Sequence, residues 1–112
     1  MKRESIGELE ELVLLTIGAL VSDAYAVKIL EELKSSANRD IDVTAIHSVL
    51  RRLEKKGLVS SEMRGATQER GGRRKRYFTL SQAGRKVLDE NMEIRSKLYG
   101  RLPGLAFSTL DL

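Results

Sequence analysis

A mainly α-helical domain with one β-hairpin (class α+β) is the fold that the sequence predicts, on three observations. Three segments with helical apolar spacing fill the first half of the 112-residue chain. Two short segments that read as strands then flank a glycine-rich stretch, and the second carries aromatic and β-branched residues, which is the pattern of a hairpin. A long segment with helical spacing follows the hairpin, and the length of the chain fits one domain.

The first helix is predicted over residues 7–21. Its start carries Glu8, Glu10 and Glu11, which interact favourably with the positive end of the helix dipole. Ser5 precedes Glu8 by three positions, the spacing of a capping box. The apolar surface of this helix is too wide for one neighbour, so we expect it to be buried on two sides.

The second and third helices are predicted from Ala24 to about Ala37, capped by Ser22 and Asp23, and from Val43 to about Lys56. Asp42 is a suitable N-cap for the third helix, and Gly57 supplies the left-handed residue that commonly ends one. The inner stripe of this helix is apolar. Its opposite face carries small polar and basic residues: Thr44, His47, Ser48, Arg51, Arg52 and Lys55.

The hairpin is predicted from strands at residues 58–64 and 73–80. Its tip and returning strand carry five basic residues: Arg70, Arg73, Arg74, Lys75 and Arg76. Tyr77 and Phe78 point to opposite faces of the returning strand, so at least one of them should pack into the core. Ser81 can cap a last helix that runs towards Leu102, where Pro103 and Gly104 stop it.

Three helices, a hairpin and a closing helix define a winged helix-turn-helix. We expect residues 1–80 to form a DNA-binding domain, residues 81–104 a C-terminal dimerisation helix, and residues 105–112 a tail. The last helix has little core of its own left to cover, so its apolar side predicts a homodimer interface with the first helix of a second copy. The candidate interface residues are Leu9, Leu12, Leu15, Leu88, Met92, Tyr99 and Leu102.

The net charge of +4 hides a strongly basic middle segment. Residues 51–86 hold 12 basic and three acidic residues, whereas the flanking segments are both net acidic. A concentrated basic segment that coincides with a hairpin is typical of a nucleic-acid surface. The alternatives are a solvated helix face and a hairpin whose charges maintain solubility and block edge-to-edge aggregation.

Composition argues against several other classes of protein. There is no cysteine and only one histidine, His47, so we expect no metal site and no cofactor. The carboxylates lie at helix starts or on polar faces, which argues against an enzyme. Gly71 and Gly72 are not followed by the lysine and hydroxyl residue of a phosphate-binding loop. The longest apolar run is too short to span a membrane, and no secretory signal is evident, so a cytoplasmic protein is expected.

Several segments resemble PadR-type transcriptional regulators, specifically the small subfamily with a single C-terminal helix. The resemblance lies in residues 7–15 of the first helix, 25–29 of the second, 50–59 at the end of the third, and 74–84 of the returning strand and following turn. The family usually carries Tyr and Pro where this chain has His47 and Ser48.

The resemblance implies a homodimeric repressor that binds a pseudo-palindromic DNA operator and is released by a small aromatic effector. The chain has no tryptophan, so a drug pocket built on that residue does not transfer. The competing hypothesis is a winged-helix module that docks on another protein or on RNA without operator specificity. Salt-dependent, sequence-selective binding to duplex DNA would separate the two.

Overall fold

The computed structural model describes residues 5–65 and 74–103. Its elements follow the predicted order: α1 Glu8–Leu20, α2 Ala26–Ala37, α3 Val43–Lys55, β1 Val59–Arg64, β2 Lys75–Leu80 and α4 Gln82–Tyr99. The winged helix-turn-helix prediction is therefore confirmed. The predicted tail, residues 105–112, and the predicted hairpin tip lie outside the described residues.

One hydrophobic core joins α1, α2, α3, the base of the hairpin and the first turns of α4. The stripe predicted for α3 lies inside this core, and each of its residues is at most 1% exposed: Ile46, Val49, Leu50 and Leu53. The opposite face of α3 is therefore the face directed to solvent. As predicted, Phe78 is buried while its neighbour Tyr77 is only half-buried.

The start of α1 differs from the predicted capping box. Gly7 occupies the N-cap, and its N–H donates to Glu10 Oε1 at 2.9 Å, so Glu10 and not Glu8 closes the first turn. The predicted Ser5–Glu8 box is wrong because the helix begins two residues later than that box requires.

The start of α2 was also predicted too early. The helix begins at Ala26 with Tyr25 as N-cap, and no side chain caps it. The Ala24 carbonyl accepts a hydrogen bond from the Phe78 N–H at 2.8 Å, which holds the preceding residues extended against β2. A long-range backbone bond therefore overrides the local capping potential of Ser22 and Asp23.

The hairpin is antiparallel, with Val59 opposite Leu80 and Arg64 opposite Lys75. At the end of the ladder next to the tip, the Arg64 guanidinium lies 4.1 Å from the centre of the Tyr77 ring, and Arg64 Nη1 donates to the Ser22 carbonyl at 3.1 Å. Tyr77 in turn makes an edge-to-face contact with Tyr25, the ring centres being 5.3 Å apart. These contacts fix the hairpin to the turn between α1 and α2, and we call the hairpin the wing.

The start of α4 is packed tightly against the backbone that precedes β1. Ser81 Oγ accepts from the Gly84 N–H at 3.0 Å, which confirms the predicted cap. Gly84 is buried, and the Leu58 carbonyl lies where a side chain at this position would begin. The helix ends at Tyr99, before the predicted stop, and two hydrogen bonds from the N–H groups of Arg101 and Leu102 tighten its last turn.

Candidate nucleic-acid interface

The solvent face of α3 carries the six residues predicted to contact DNA. Five of them are exposed and Ser48 is half-buried. The first turn is fixed by Asp42, whose side chain accepts from the Thr44 N–H at 3.1 Å, as predicted. The chain leaves the helix through Gly57 at φ +77°, the left-handed conformation expected there. Local sequence therefore sets both ends of α3, and the core beneath it sets which face is presented. We call α3 the recognition helix.

The basic residues of the wing are described in part. Arg74, Lys75 and Arg76 are all exposed, and the Lys75 ammonium lies 4.5 Å from the centre of the Tyr25 ring. Arg70 and Arg73 lie outside the described residues.

A hydrogen-bonded chain links the wing to the recognition helix. Arg76 Nη1 on β2 donates to Ser61 Oγ on β1 at 2.9 Å. Ser61 Oγ donates in turn to Glu54 Oε2 on the recognition helix at 2.7 Å. One wing arginine is thereby linked through hydrogen bonds to the recognition helix.

Glu10, on α1, forms a buried ionic cluster with the C-terminal half of the recognition helix. Glu10 is only 6% exposed. Lys56 Nζ donates to Oε1 and Oε2 at 3.1 and 3.2 Å, and Arg52 Nε donates to Oε2 at 3.2 Å. Lys56 Nζ also donates to the Ser5 carbonyl at 3.1 Å. The cluster therefore ties the recognition helix to α1 and to the segment before it.

The environment of Glu10 keeps its side chain ionised. Burial raises the pKa of this carboxyl, but the Gly7 N–H, Lys56 and Arg52 together lower the pKa by more. The net result is a pKa below the ordinary value of 4.5. A carboxylate whose pKa is lower in the folded than in the unfolded chain stabilises the fold at neutral pH.

We expect Glu10→Gln to destabilise the protein at pH 7 and to do so less as the pH falls. The stabilisation from the carboxylate is complete well above pH 4.5 and is lost as the pH drops through the lower pKa of the folded state. Urea unfolding of parent and variant between pH 7 and pH 3 measures this difference. A gap between the two that stays constant over this range would show that the charge of Glu10 contributes nothing.

Glu11 makes the equivalent connection to α4. It too is 6% exposed, and it accepts from Arg95 Nη2 at 2.6 Å and from Nε at 3.2 Å. The hydrogen bond and the charge of Glu11 raise the pKa of Arg95. Arg95, which interrupts the predicted apolar seam of the last helix, is therefore the residue that anchors α4 to α1.

The roles of these two glutamates and their partners were missed by the sequence analysis. Their positions in the first turn of a helix predicted only a favourable interaction with the helix dipole. One feature of the sequence does indicate these contacts: both glutamates lie between Leu9 and Leu12 on a helix expected to be buried on two sides. Acidic residues inside such a surface need cationic partners, because burying an unpaired charge is costly.

An exposed apolar face lies along the C-terminal half of α4. Its exposed large side chains are Ile94, Leu98, Tyr99 and, just beyond the helix, Leu102. Of the residues predicted for a dimer interface, Tyr99, Leu102 and Leu15 are exposed, while Leu9, Leu12 and Met92 are half-buried. Leu88 requires a correction: it is 5% exposed and belongs to the protomer's own core, because the start of α4 packs against that core.

The surface carries two grooves, and the first of them lies on this apolar face. One of about 520 Å³ is lined by Arg95, Ser96, Leu98, Tyr99 and Leu102. The other, of about 230 Å³, lies between α1 and α2 and includes Leu12, Leu15, Ala19 and Ala37. Among residues 5–65 and 74–103, no group of three histidine or acidic side chains is arranged to hold a metal ion. No helix in those same ranges has the length and apolar character needed to cross a membrane.

Solved structures share this architecture. A PadR-like transcription factor from Bacteroides fragilis is 26% identical, with 82% of this chain and 84% of that chain covered and a TM-score of 0.70. A PadR family transcription regulator from Clostridium difficile is 20% identical, with coverage of 84% and 93% and a TM-score of 0.72. Bacillus subtilis PadR, solved in complex with operator DNA, is 15% identical. The match covers 79% of this chain and 48% of that chain, with a TM-score of 0.63.

At the level of sequence, no curated protein matches the chain. The family model described as "Transcriptional regulator PadR-like family" matches residues 13–90, well over half of the chain. The matched range begins within α1, contains the recognition helix and the wing, and ends within α4. The members of this family are transcriptional regulators and not enzymes. The chain belongs to the PadR-like family of transcriptional regulators.

Proposed function

We propose that this regulator is a homodimeric repressor that binds a pseudo-palindromic operator in duplex DNA. The observation that carries the proposal is that exposed basic residues lie on both the recognition helix and the wing, and that hydrogen bonds link these two elements. The Arg76–Ser61–Glu54 chain connects the two elements, and the side chains of Arg51 and Lys55 are exposed on the recognition helix. A helix with an apolar inner stripe and a basic outer face suits the major groove, and the wing suits the adjacent backbone or minor groove.

The family and one structural relative support this proposal. Transcriptional regulators act on DNA, and the Bacillus subtilis relative was solved with operator DNA. Within the DNA-binding domain proposed for residues 1–80, we assign groove or phosphate contact to Thr44, His47, Ser48, Arg51, Arg52 and Lys55. We assign phosphate or minor-groove contact to the five wing residues Arg70, Arg73, Arg74, Lys75 and Arg76. The proposed place of action is the cytoplasm.

We propose that residues 81–104 build the dimer. Leu98 and Tyr99 are 55% and 77% exposed, and such large side chains at the end of a helix form an apolar patch that no other part of residues 5–65 and 74–103 covers. The groove between α1 and α2 contains Leu12 and Leu15 and offers a complementary apolar surface on a second copy. A two-fold dimer would present two recognition helices about one turn of DNA apart.

The place we propose for a small aromatic effector is the groove beside Tyr99. Its lining combines an aromatic ring, two leucines and the guanidinium of Arg95. An aromatic ligand can stack on Tyr99 or on Arg95. Because Arg95 is paired with Glu11 on α1, a ligand there would act on the junction between α4 and the DNA-binding domain.

Selection of bound sequences from a pool of random duplex DNA tests the proposed function. We expect enrichment of a pseudo-palindrome whose half-sites are separated by about one helical turn. A duplex pool that stays random after several rounds would contradict the proposal. A second contradicting outcome is enrichment from a random single-stranded RNA pool but not from the duplex pool. The second outcome would favour the alternative of an RNA-binding winged-helix module.

A further inference from the structure

We infer that Glu10 is a positioning residue for DNA recognition, acting through Arg52. This inference rests on the proposed function and adds to it a residue that is buried and does not itself touch DNA. The observation behind it is that a carboxylate from α1 holds one edge of an arginine whose other end lies at the solvent face of the recognition helix.

Two contacts restrain the Arg52 guanidinium. Its Nε donates to Glu10 Oε2 at 3.2 Å, and its Nη1 donates to Ser48 Oγ at 3.0 Å. Ser48 lies one helical turn earlier on the same face. A guanidinium has five N–H groups in a fixed plane, so a contact at Nε and a second at Nη1 define the orientation of that plane.

The Nη2 end of the Arg52 guanidinium is the part that remains available to a ligand among the described residues. No residue in the described ranges accepts a hydrogen bond from Nη2, and the side chain is 52% exposed. Arg52 thus presents planar donors at the edge of the proposed DNA surface. The matching chemistry is a group with two adjacent acceptors, which duplex DNA offers as phosphate oxygens or as the O6 and N7 atoms of guanine.

Burial makes Glu10 suitable for this role. The carboxylate is held by the Gly7 N–H and by Lys56 in addition to Arg52, so its own position does not depend on Arg52. An arginine tethered to a fixed group loses less conformational entropy when it binds than a free one does. The loss of the tether should therefore weaken the directional contact of Arg52 with its ligand while leaving its positive charge in place.

Glu11→Gln is the matched control. Glu11 is adjacent in sequence, equally buried and also paired with an arginine, but that arginine is on α4 and not on the recognition helix. Both substitutions remove one negative charge from the same turn of α1. A general electrostatic or structural effect would change DNA binding equally in the two variants, whereas positioning of Arg52 would change it only in Glu10→Gln.

The experiment compares the selected operator with a scrambled duplex of equal length and composition, using the full chain. We expect Glu10→Gln to lower the ratio of operator to scrambled affinity by about fivefold to a hundredfold, the range of one well-oriented arginine contact. Affinity for the scrambled duplex should not fall, because a negative charge has been removed near the DNA. At a protein concentration at which sedimentation shows the oligomeric state of the parent in each variant, Glu11→Gln should keep the parent ratio.

Two further variants show whether Glu10 acts through Arg52. Arg52→Lys keeps the charge but lacks the planar fork, so we expect it to lower the ratio as Glu10→Gln does. The double variant should be no worse than Arg52→Lys alone. With Arg52→Ala, a relaxed preference at one guanine per half-site would identify a base edge as the ligand. An unchanged sequence preference with a salt slope smaller by about 0.9 would identify a phosphate as the ligand, and it would contradict the lower ratio expected for Glu10→Gln because a phosphate contact does not distinguish the two duplexes.

The possible failures are distinguishable. If the parent does not discriminate between the operator and the scrambled duplex, the proposed function itself is wrong. If the parent discriminates but Glu10→Gln and Glu11→Gln have the same ratio of operator to scrambled affinity, Glu10 is not a positioning residue for Arg52. The same conclusion follows if the effects of Glu10→Gln and Arg52→Lys add fully in the double variant. Because Arg52 is at the surface, Arg52→Lys gives a folded variant for this comparison even if Glu10→Gln does not fold.

Discussion

Replacement of Gly84 by alanine is expected to destabilise the protein by about 2–3 kcal/mol. A Cβ at this position would lie 2.2 Å from the Leu58 carbonyl oxygen and 2.9 Å from Leu80 Cδ1. The carbonyl cannot move freely, because it accepts a hydrogen bond from the Ser81 N–H at 3.0 Å. The first turn of α4 would therefore have to move away from the wing, which outweighs the gain of about 1 kcal/mol that alanine brings within a helix.

Gly18→Ala is the control for this prediction. Gly18 also lies inside a helix, but a Cβ there meets only the end of the Leu80 side chain, at 3.3 Å. A flexible side chain can shift, so the expected change is within about 1 kcal/mol of zero. Urea unfolding at one fixed protomer concentration measures both variants. Equal stability of Gly84→Ala and the parent would contradict the close approach of Gly84 to the Leu58 carbonyl.

Leu98→Glu together with Tyr99→Glu is expected to convert the proposed dimer into a monomer. Each leucine buried at an interface contributes about 1.5–3 kcal/mol, and a two-fold interface contains Leu98 twice. The loss of about 3 kcal/mol or more corresponds to at least about a hundredfold weaker association. Operator binding should fall in parallel, because two linked recognition helices bind far more tightly than separate ones do. Sedimentation and operator titration measure the two effects.

Lys97→Glu provides the matched control for the dimer. Lys97 is exposed between Ser96 and Leu98, and it lies on the opposite side of the helix from the Leu88–Tyr99 seam. Lys97→Glu changes the charge of each protomer by two units, as the Leu98→Glu, Tyr99→Glu variant does, so a general charge effect would be equal in the two variants. A parent protein that sediments as a monomer at micromolar concentration, or a Leu98→Glu, Tyr99→Glu variant that remains dimeric, would contradict the proposed interface.

The elements that the sequence predicted well are those determined by local interactions. The ends of α3 follow from the side chain of Asp42 and from the left-handed Gly57, and the start of α4 follows from Ser81. The inner stripe of α3 follows from helical spacing alone. These features depend on residues within one or two turns of each other, so a pattern in the sequence contains them.

The elements that were wrong or missed depend on contacts that are distant in sequence. The start of α2 is set by a bond between Ala24 and Phe78. Glu10 and Arg52 are 42 residues apart, and Glu11 and Arg95 are 84 apart. Leu88 has the spacing of an interface residue, and only the packing of α4 shows that its own protomer buries it. No helical or strand periodicity contains this information.

In the proposed function, the basic residues of the recognition helix and the wing bind duplex DNA. The most direct test measures how the affinity for the selected duplex depends on salt concentration. It compares the parent with Arg51→Ala and with Lys97→Ala, a control at the remote end of α4. We predict that Arg51→Ala weakens binding and reduces the slope of log affinity against log salt by about 0.9, while Lys97→Ala leaves the slope unchanged. Equal slopes for the parent and Arg51→Ala, in variants shown to be folded, would contradict the assignment of these residues.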